Sequence, residues 1–169
     1  MPWLRALAAQ LRDDDAFTLR CIGRTDLDPG YARACAELVN AEARLSARVV
    51  LVGVQSPAEV ALWLARAQLL ISPSRYESFG MALADARASG RVVLAHAGGH
   101  TERLVEAAAG GALCTDDAAL ASAFLRCVRD RAELAERLSR AHARRLSPRS
   151  YHEVAREFLA HTRAPRNAQ

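Results

Sequence analysis

The chain has 169 residues, 51% of them hydrophobic and 25% charged, which suits one globular domain with a substantial core. Its formal charge is +4, and every one of its 23 basic residues is arginine. That surplus is modest, lacks an aromatic platform and is interleaved with acids, so it does not describe a nucleic-acid-binding chain, and no apolar run reaches the ~20 residues that span a bilayer.

Helical and strand periodicities alternate along the chain. Trp3, Leu4, Leu7, Ala8 and Leu11 recur at helical spacing, and Asp13-Asp14-Asp15 ends that helix in a polar turn. A buried strand is predicted over 18–23 and a helix over 29–44, with Pro29 in a typical first-turn position. Val49-Val50-Leu51-Val52-Gly53 reads as the clearest strand, followed by a helix over 57–67 and a strand over 69–72. A helix over 78–89, a strand over 91–95, a helix over 101–109 and a short strand over 112–115 come next. From Asp116 the pattern is helical, with a break at Ser147-Pro148, a closing helix from Ser150 through Phe158 and a frayed tail over 164–169. Short apolar strands separated by helices predict an α/β domain over 1–163. Its expected form is a Rossmann-like doubly wound parallel sheet with helices on both faces.

Four cysteines, Cys21, Cys35, Cys114 and Cys127, have neither zinc-site nor disulfide spacing, which fits a reduced, cytoplasmic setting. The N-terminus lacks the uninterrupted apolar stretch of a signal peptide.

The chemistry concentrates in Ser72-Pro73-Ser74-Arg75-Tyr76-Glu77-Ser78-Phe79-Gly80-Met81, then Asp85, then Gly90-Arg91-Val92-Val93-Leu94-Ala95. This is a strand end, a loop, a helix and a second strand, the place where open α/β sheets bind ligands. Gly80 admits a ligand close to the backbone, and Ser78 is expected to cap the helix, leaving N–H groups near Gly80 free for a diphosphate. Counted from Ser78, Asp85 lies two turns along, roughly 10 Å at 1.5 Å per residue. Carboxylates at Glu77 and Asp85 would then hold hydroxyl groups at the two ends of one ligand.

This segment closely resembles the donor signature of family 4 glycosyltransferases, which have the GT-B fold: Pro-Ser, Glu-x-Phe-Gly, a second acid eight positions later, then Gly-x-Pro-Val-Val-Ala. The likeness extends to Cys21-Ile22-Gly23, Val50-Leu51-Val52-Gly53, Gly98-Gly99 with Glu102, and Ser150-Tyr151 through Phe158. It implies the donor-binding half of a retaining glycosyltransferase acting on a nucleotide diphosphate sugar. Glu77 would meet the transferred sugar. Backbone N–H groups around Ser78, Phe79, Gly80 and Met81, with the Gly98-Gly99 loop, would meet sugar and phosphate. Asp85 would take the ribose hydroxyls. No metal or other cofactor is implied.

The sequence departs from the family at four places. Asp85 stands where glutamate is usual, Arg91 where proline is, and Tyr151 where tryptophan is. Members also open the domain with a strand ending in Gly-Arg, followed by a lysine, and these cations hold the donor diphosphate. This chain starts at the helix after that strand, and Arg24, which follows the second strand, is no substitute. The first strand is central in the order 3-2-1-4-5-6, so its absence would leave two half-sheets with unpaired edges. The expected partners are therefore a nucleotide-sugar donor and an acceptor-binding domain or partner chain. Peripheral contact with the inner face of a membrane is a further expectation, and nucleic acid is not expected. The alternative is a non-catalytic module that binds a nucleotide sugar or packs against a partner.

The Gly98-Gly99 loop is a weak signal taken alone; with the neighbouring motif it reads equally as a ligand contact and as a structural turn. His96 and His100 flank those glycines and so share no helical metal-binding face. Glu102 reads as a residue bracing its own helix. The arginines from Arg126 to Arg149 interleave with Asp130, Glu133 and Glu136 as on a solvated helix face.

Overall fold

The computed structural model describes residues 2–147 and residue 156. The closing helix, the tail and the end of the domain at 163 lie outside the described residues. Helix α1 (Pro2–Gln10) precedes strand β1 (Leu19–Ile22), helices α2 (Pro29–Ala41) and α3 (Ala43–Ser46), and strand β2 (Val49–Gly53). Helix α4 (Pro57–Arg66) leads to β3 (Leu69–Ser72), α5 (Met81–Ala88), β4 (Val92–His96) and the short α6 (Thr101–Leu104). A 3-10 turn (Ala107–Ala109), β5 (Ala112–Cys114), α7 (Asp117–Arg129) and α8 (Arg131–Ala143) complete the order.

Local chemistry explains many of these boundaries. Asp28 takes the Tyr31 N–H at 2.9 Å ahead of Pro29, and Ser56 forms a capping box with Glu59 ahead of Pro57. Asp116 and Asp130 cap α7 and α8 through the N–H groups of Ala119 and Glu133. Asp130 also ends α7, in extended backbone, so the long C-terminal helical pattern is two helices. Glu42 divides the expected 29–44 helix in the same way.

The strands are all parallel and form two sheets, β1–β2 and β3–β4–β5. Alternation sorts their side chains onto two faces. Leu19, Cys21, Leu69, Ile71, Val92, Leu94 and Cys114 join the main core with α1, α2, α7 and α8. Leu70, Val93 and Ala95 join a smaller core with Leu83 and Ala86 of α5. The fold is therefore the expected α/β arrangement with helices on both faces. The parallel pairing is interrupted: among the described residues β1 pairs only with β2, and β3 only with β4. Helix α4 has no buried residue, and Leu62 on it is 58% exposed. Val50 and Leu51 of β2 are exposed as well. Arg20 covers part of this side by laying its guanidinium 4.5 Å from the Trp63 ring centroid.

A buried clip closes the α1 end of the core. The Asp15 carboxylate, 1% exposed, accepts from Arg129 Nε and Nη2 at 2.7 and 2.8 Å and from the Arg12 N–H at 2.8 Å. The Arg129 hydrogen bonds hold the Asp15 pKa below its ordinary value of 3.8, against desolvation, which raises it. A folded-state pKa below the unfolded one stabilises the protein above about pH 4, and that contribution is lost as pH falls through the lowered value. Replacing Asp15 with Asn is expected to cost about 2 kcal/mol near neutral pH. It should also flatten the loss of stability between roughly pH 5 and pH 3 in urea unfolding. Equal acid slopes in both proteins would remove Asp15 as the cause.

Candidate functional site

The loops that leave β3, β4 and β5 at their carboxyl ends form the candidate site. The first runs from Pro73 to Gly80, the second from Ala97 to His100, and the third is Thr115-Asp116. The first two are stitched together along their backbones. Glu77 and Gly99 form a parallel bridge, and the His100 N–H donates to the Glu77 carbonyl at 2.7 Å. Gly99 has φ +62°, and a Cβ there would run into the Glu77 carbonyl oxygen while standing 3.1 Å from the Glu77 nitrogen. At Gly98 a Cβ would stand 2.6 Å from the Arg75 carbonyl oxygen. These glycines are required by the close approach of two backbones. Buried Thr101 fixes the turn, with its hydroxyl donating to the Gly98 carbonyl and accepting the Gly98 N–H.

The helix start differs from the expected one. Helix α5 begins at Met81, not Ser78, because Gly80 takes a left-handed φ of +68° as its N-cap. Ser78 makes no cap hydrogen bond and is exposed. The Glu77 carboxylate instead takes the Gly80 N–H at 3.0 Å, so that N–H is not free. The open donors belong to the first turn of α5, from Met81 onward, which has no side-chain cap. Measured from Met81, Asp85 is four residues along, about 6 Å rather than 10 Å. Its side chain lies on an exposed position of α5.

Glu77, Ser78, Phe79, Gly80, Met81, Gly98 and Gly99 thus lie on one bridged pair of loops, with Asp85 one turn up the helix that leaves them. Phe79 is 80% exposed and Met81 75%. Tyr76, at 73%, extends this exposed apolar rim. Glu102 sits exposed in the first turn of α6, and that helix has no side-chain cap bond, so the expected bracing is not made. His100 is the N-cap of α6, whereas His96 is buried in β4 with Nε2 3.0 Å from Asp117 Oδ1. No group of three or more potential metal ligands occurs among the described residues. Arg91 sends Nη1 to the Ala67 carbonyl at 3.0 Å, which ties the start of β4 to the end of α4.

Sequence reasoning missed Asp117, which pairs with both Arg75 and His96. The one available signal was a second aspartate directly after Asp116, where the helical pattern begins.

The model of the family "Glycosyl transferases group 1" matches residues 2–130. A comparison with curated protein sequences finds no match. Among solved structures, Anabaena Alr3699/HepE in complex with UDP is similar over 95% of this chain and 43% of its own, with a TM-score of 0.73 and 23% identity. Sucrose-phosphate synthase from Thermosynechococcus elongatus is similar over 95% of this chain and 40% of its own, with a TM-score of 0.68 and 26% identity. A glycosyltransferase from Rickettsia africae gives 94% and 42%, a TM-score of 0.71 and 15% identity. The chain spans less than half the length of each of these relatives. With its helix-flanked parallel strands and a family match over most of its length, the chain belongs to the group 1 glycosyltransferases.

Proposed function

We propose that this domain binds the nucleoside diphosphate sugar of a retaining, family 4 glycosyltransferase. The observation that carries the reading is the bridged pair of loops beside the uncapped start of α5. That arrangement brings backbone N–H donors, Glu77 and the two glycines together. The partial positive charge of the helix start suits a diphosphate. Glu77 meets the transferred sugar, and the hydrogen bond it accepts from Gly80 fixes its carboxylate for that role. Asp85 takes the ribose hydroxyls. No metal is needed for that binding. Two structures of one similar protein support the donor class: Alr3699/HepE was solved with UDP and with UDP-glucose.

The unpaired sides of β1 and β3, with the uncovered α4, favour a companion reading, in which the domain packs against a further segment or partner chain. The occupant would be an extended apolar strand running parallel to β1 and β3, joined to an acceptor-binding domain.

Calorimetric titration of the 169-residue chain with UDP, GDP and ADP tests the donor reading. Saturable binding of one nucleotide is expected, weakened at least about tenfold by Asp85→Ala, which removes a ribose contact worth roughly 1.5 kcal/mol or more. Binding of the same nucleotide with equal affinity by wild type and Asp85→Ala would remove Asp85 from the site. No binding by a folded chain would leave the packing module as the function.

A further inference from the structure

The three loops at the carboxyl ends of β3, β4 and β5 converge on one carboxylate. Asp117, whose side chain is 14% exposed, opens α7 directly after the third loop. Its Oδ2 accepts from Arg75 Nη2 in the first loop, two residues before Glu77. Its Oδ1 lies 3.0 Å from Nε2 of His96, the last residue of β4, which leads into Gly98-Gly99. A carboxylate only accepts, so Nε2 is the donor in that bond. The imidazole is 2% exposed and cannot turn to water, and Nδ1 has no hydrogen-bond partner among the described residues. Among the described residues Asp117 is thus the only polar anchor of a buried ring, and it also holds an exposed guanidinium.

On the opposite side, the same two loops are joined backbone to backbone through the Glu77–Gly99 bridge and the His100 N–H. The bridge fixes Glu77 against Gly99, but nothing in it fixes the pair against the rest of the sheet. The Ala97 N–H ties the second loop to β5 by donating to the Cys114 carbonyl at 3.0 Å, and Asp117 adds the side-chain connection, reaching Arg75 at one end of the bridged segment and His96 at the start of the other. Charge-assisted bonds of this kind are the strong ones, and this carboxylate is largely shielded from water.

We propose that Asp117 is a positioning residue: shared between Arg75 and His96, its carboxylate sets the place of Glu77 and of the Gly98-Gly99 turn. The affinity readout below rests on the donor-site reading; the exchange readout does not. Amide hydrogen exchange and UDP, GDP and ADP titration are measured on the full chain for wild type, Asp117→Asn, Arg75→Gln and the double variant. In Asp117→Asn the amides of Gly80 and His100 are expected to exchange at least about tenfold faster, while those of Leu94 and Leu125 in the core keep their rates. Arg75→Gln, which alters only an exposed side chain and leaves the His96–Asp117 pair, should accelerate the same two amides. It keeps the test decisive if Asp117→Asn fails to fold. For the nucleotide that wild type binds, the dissociation constant should rise at least about tenfold in Asp117→Asn, and the double variant should bind no worse than Asp117→Asn alone. Unchanged exchange at His100, or equal acceleration in the core, overturns the assignment. If wild type binds no nucleotide the donor reading falls, and exchange at Gly80 and His100 still decides the role of Asp117.

Discussion

Replacing Gly99 with alanine is expected to destabilise the domain by about 3 kcal/mol or more and to abolish nucleotide binding. Two costs combine. The residue sits at φ +62°, where an L side chain loses roughly 1 kcal/mol to its own backbone. The new methyl also meets the carbonyl oxygen, nitrogen and carbonyl carbon of Glu77, none of which is the far end of a flexible side chain. Relief requires the loops to separate, which breaks the bond from the His100 N–H and shifts Glu77. Two other glycines calibrate the effect. Gly53 has φ +78° with open space around it, so its alanine variant should show only the backbone cost of roughly 1 kcal/mol. Gly23 has open space and no left-handed φ, so its variant should stay within about 0.5 kcal/mol of wild type. Urea unfolding of the three variants should give that order. A Gly99→Ala protein no less stable than Gly53→Ala would mean that the two loops are not packed as described.

The strands and the helix starts at Pro29 and Pro57 were legible because each depends on near neighbours. Val49–Gly53 and Leu69–Ser72 fall where their apolar runs place them, and Asp28 and Ser56 cap helices beside their own prolines. The start of α5 was misplaced because two effects outweighed the capping propensity of Ser78. Gly80 adopted the left-handed region, and Glu77 reached forward to the Gly80 N–H. The tertiary partners of the site had no local signal. Arg75 and Asp117 are 42 residues apart, and His96 and Asp117 are 21 apart. Their meeting follows from the adjacency of β3, β4 and β5, and the strand pattern does not say which side chains face one another across those ends. The separation of the described strands into two sheets has no local signal either; the expectation of two half-sheets came from the family resemblance and its strand order.

Arg87 carries the second large expected effect. Its side chain is 3% exposed, yet it bears a full charge beside the smaller core. Nη1 donates to the Leu104 carbonyl at the end of α6, and Nη2 to the Arg144 carbonyl at 3.2 Å, just past α8. Glu106 supplies the counter-charge at 3.6 Å. Arg87→Ala removes both donors, leaves a cavity beneath α5 and strips Glu106 of its partner, for an expected loss of about 3–5 kcal/mol. Arg87→Met refills most of the volume without restoring the donors, so it should recover part of that loss and remain about 1–3 kcal/mol below wild type. Equal stability of the Met variant and wild type would show that the guanidinium only fills space. The consequence reaches the site, because α5 and α6 are the helices that leave its two bridged loops. Leu104, which Arg87 holds through its carbonyl, packs its side chain against the space above Gly80. Loosening this clamp should therefore weaken nucleotide binding in the Met variant, where the fold survives, more than an exposed change away from the site such as Ala135→Ser on α8.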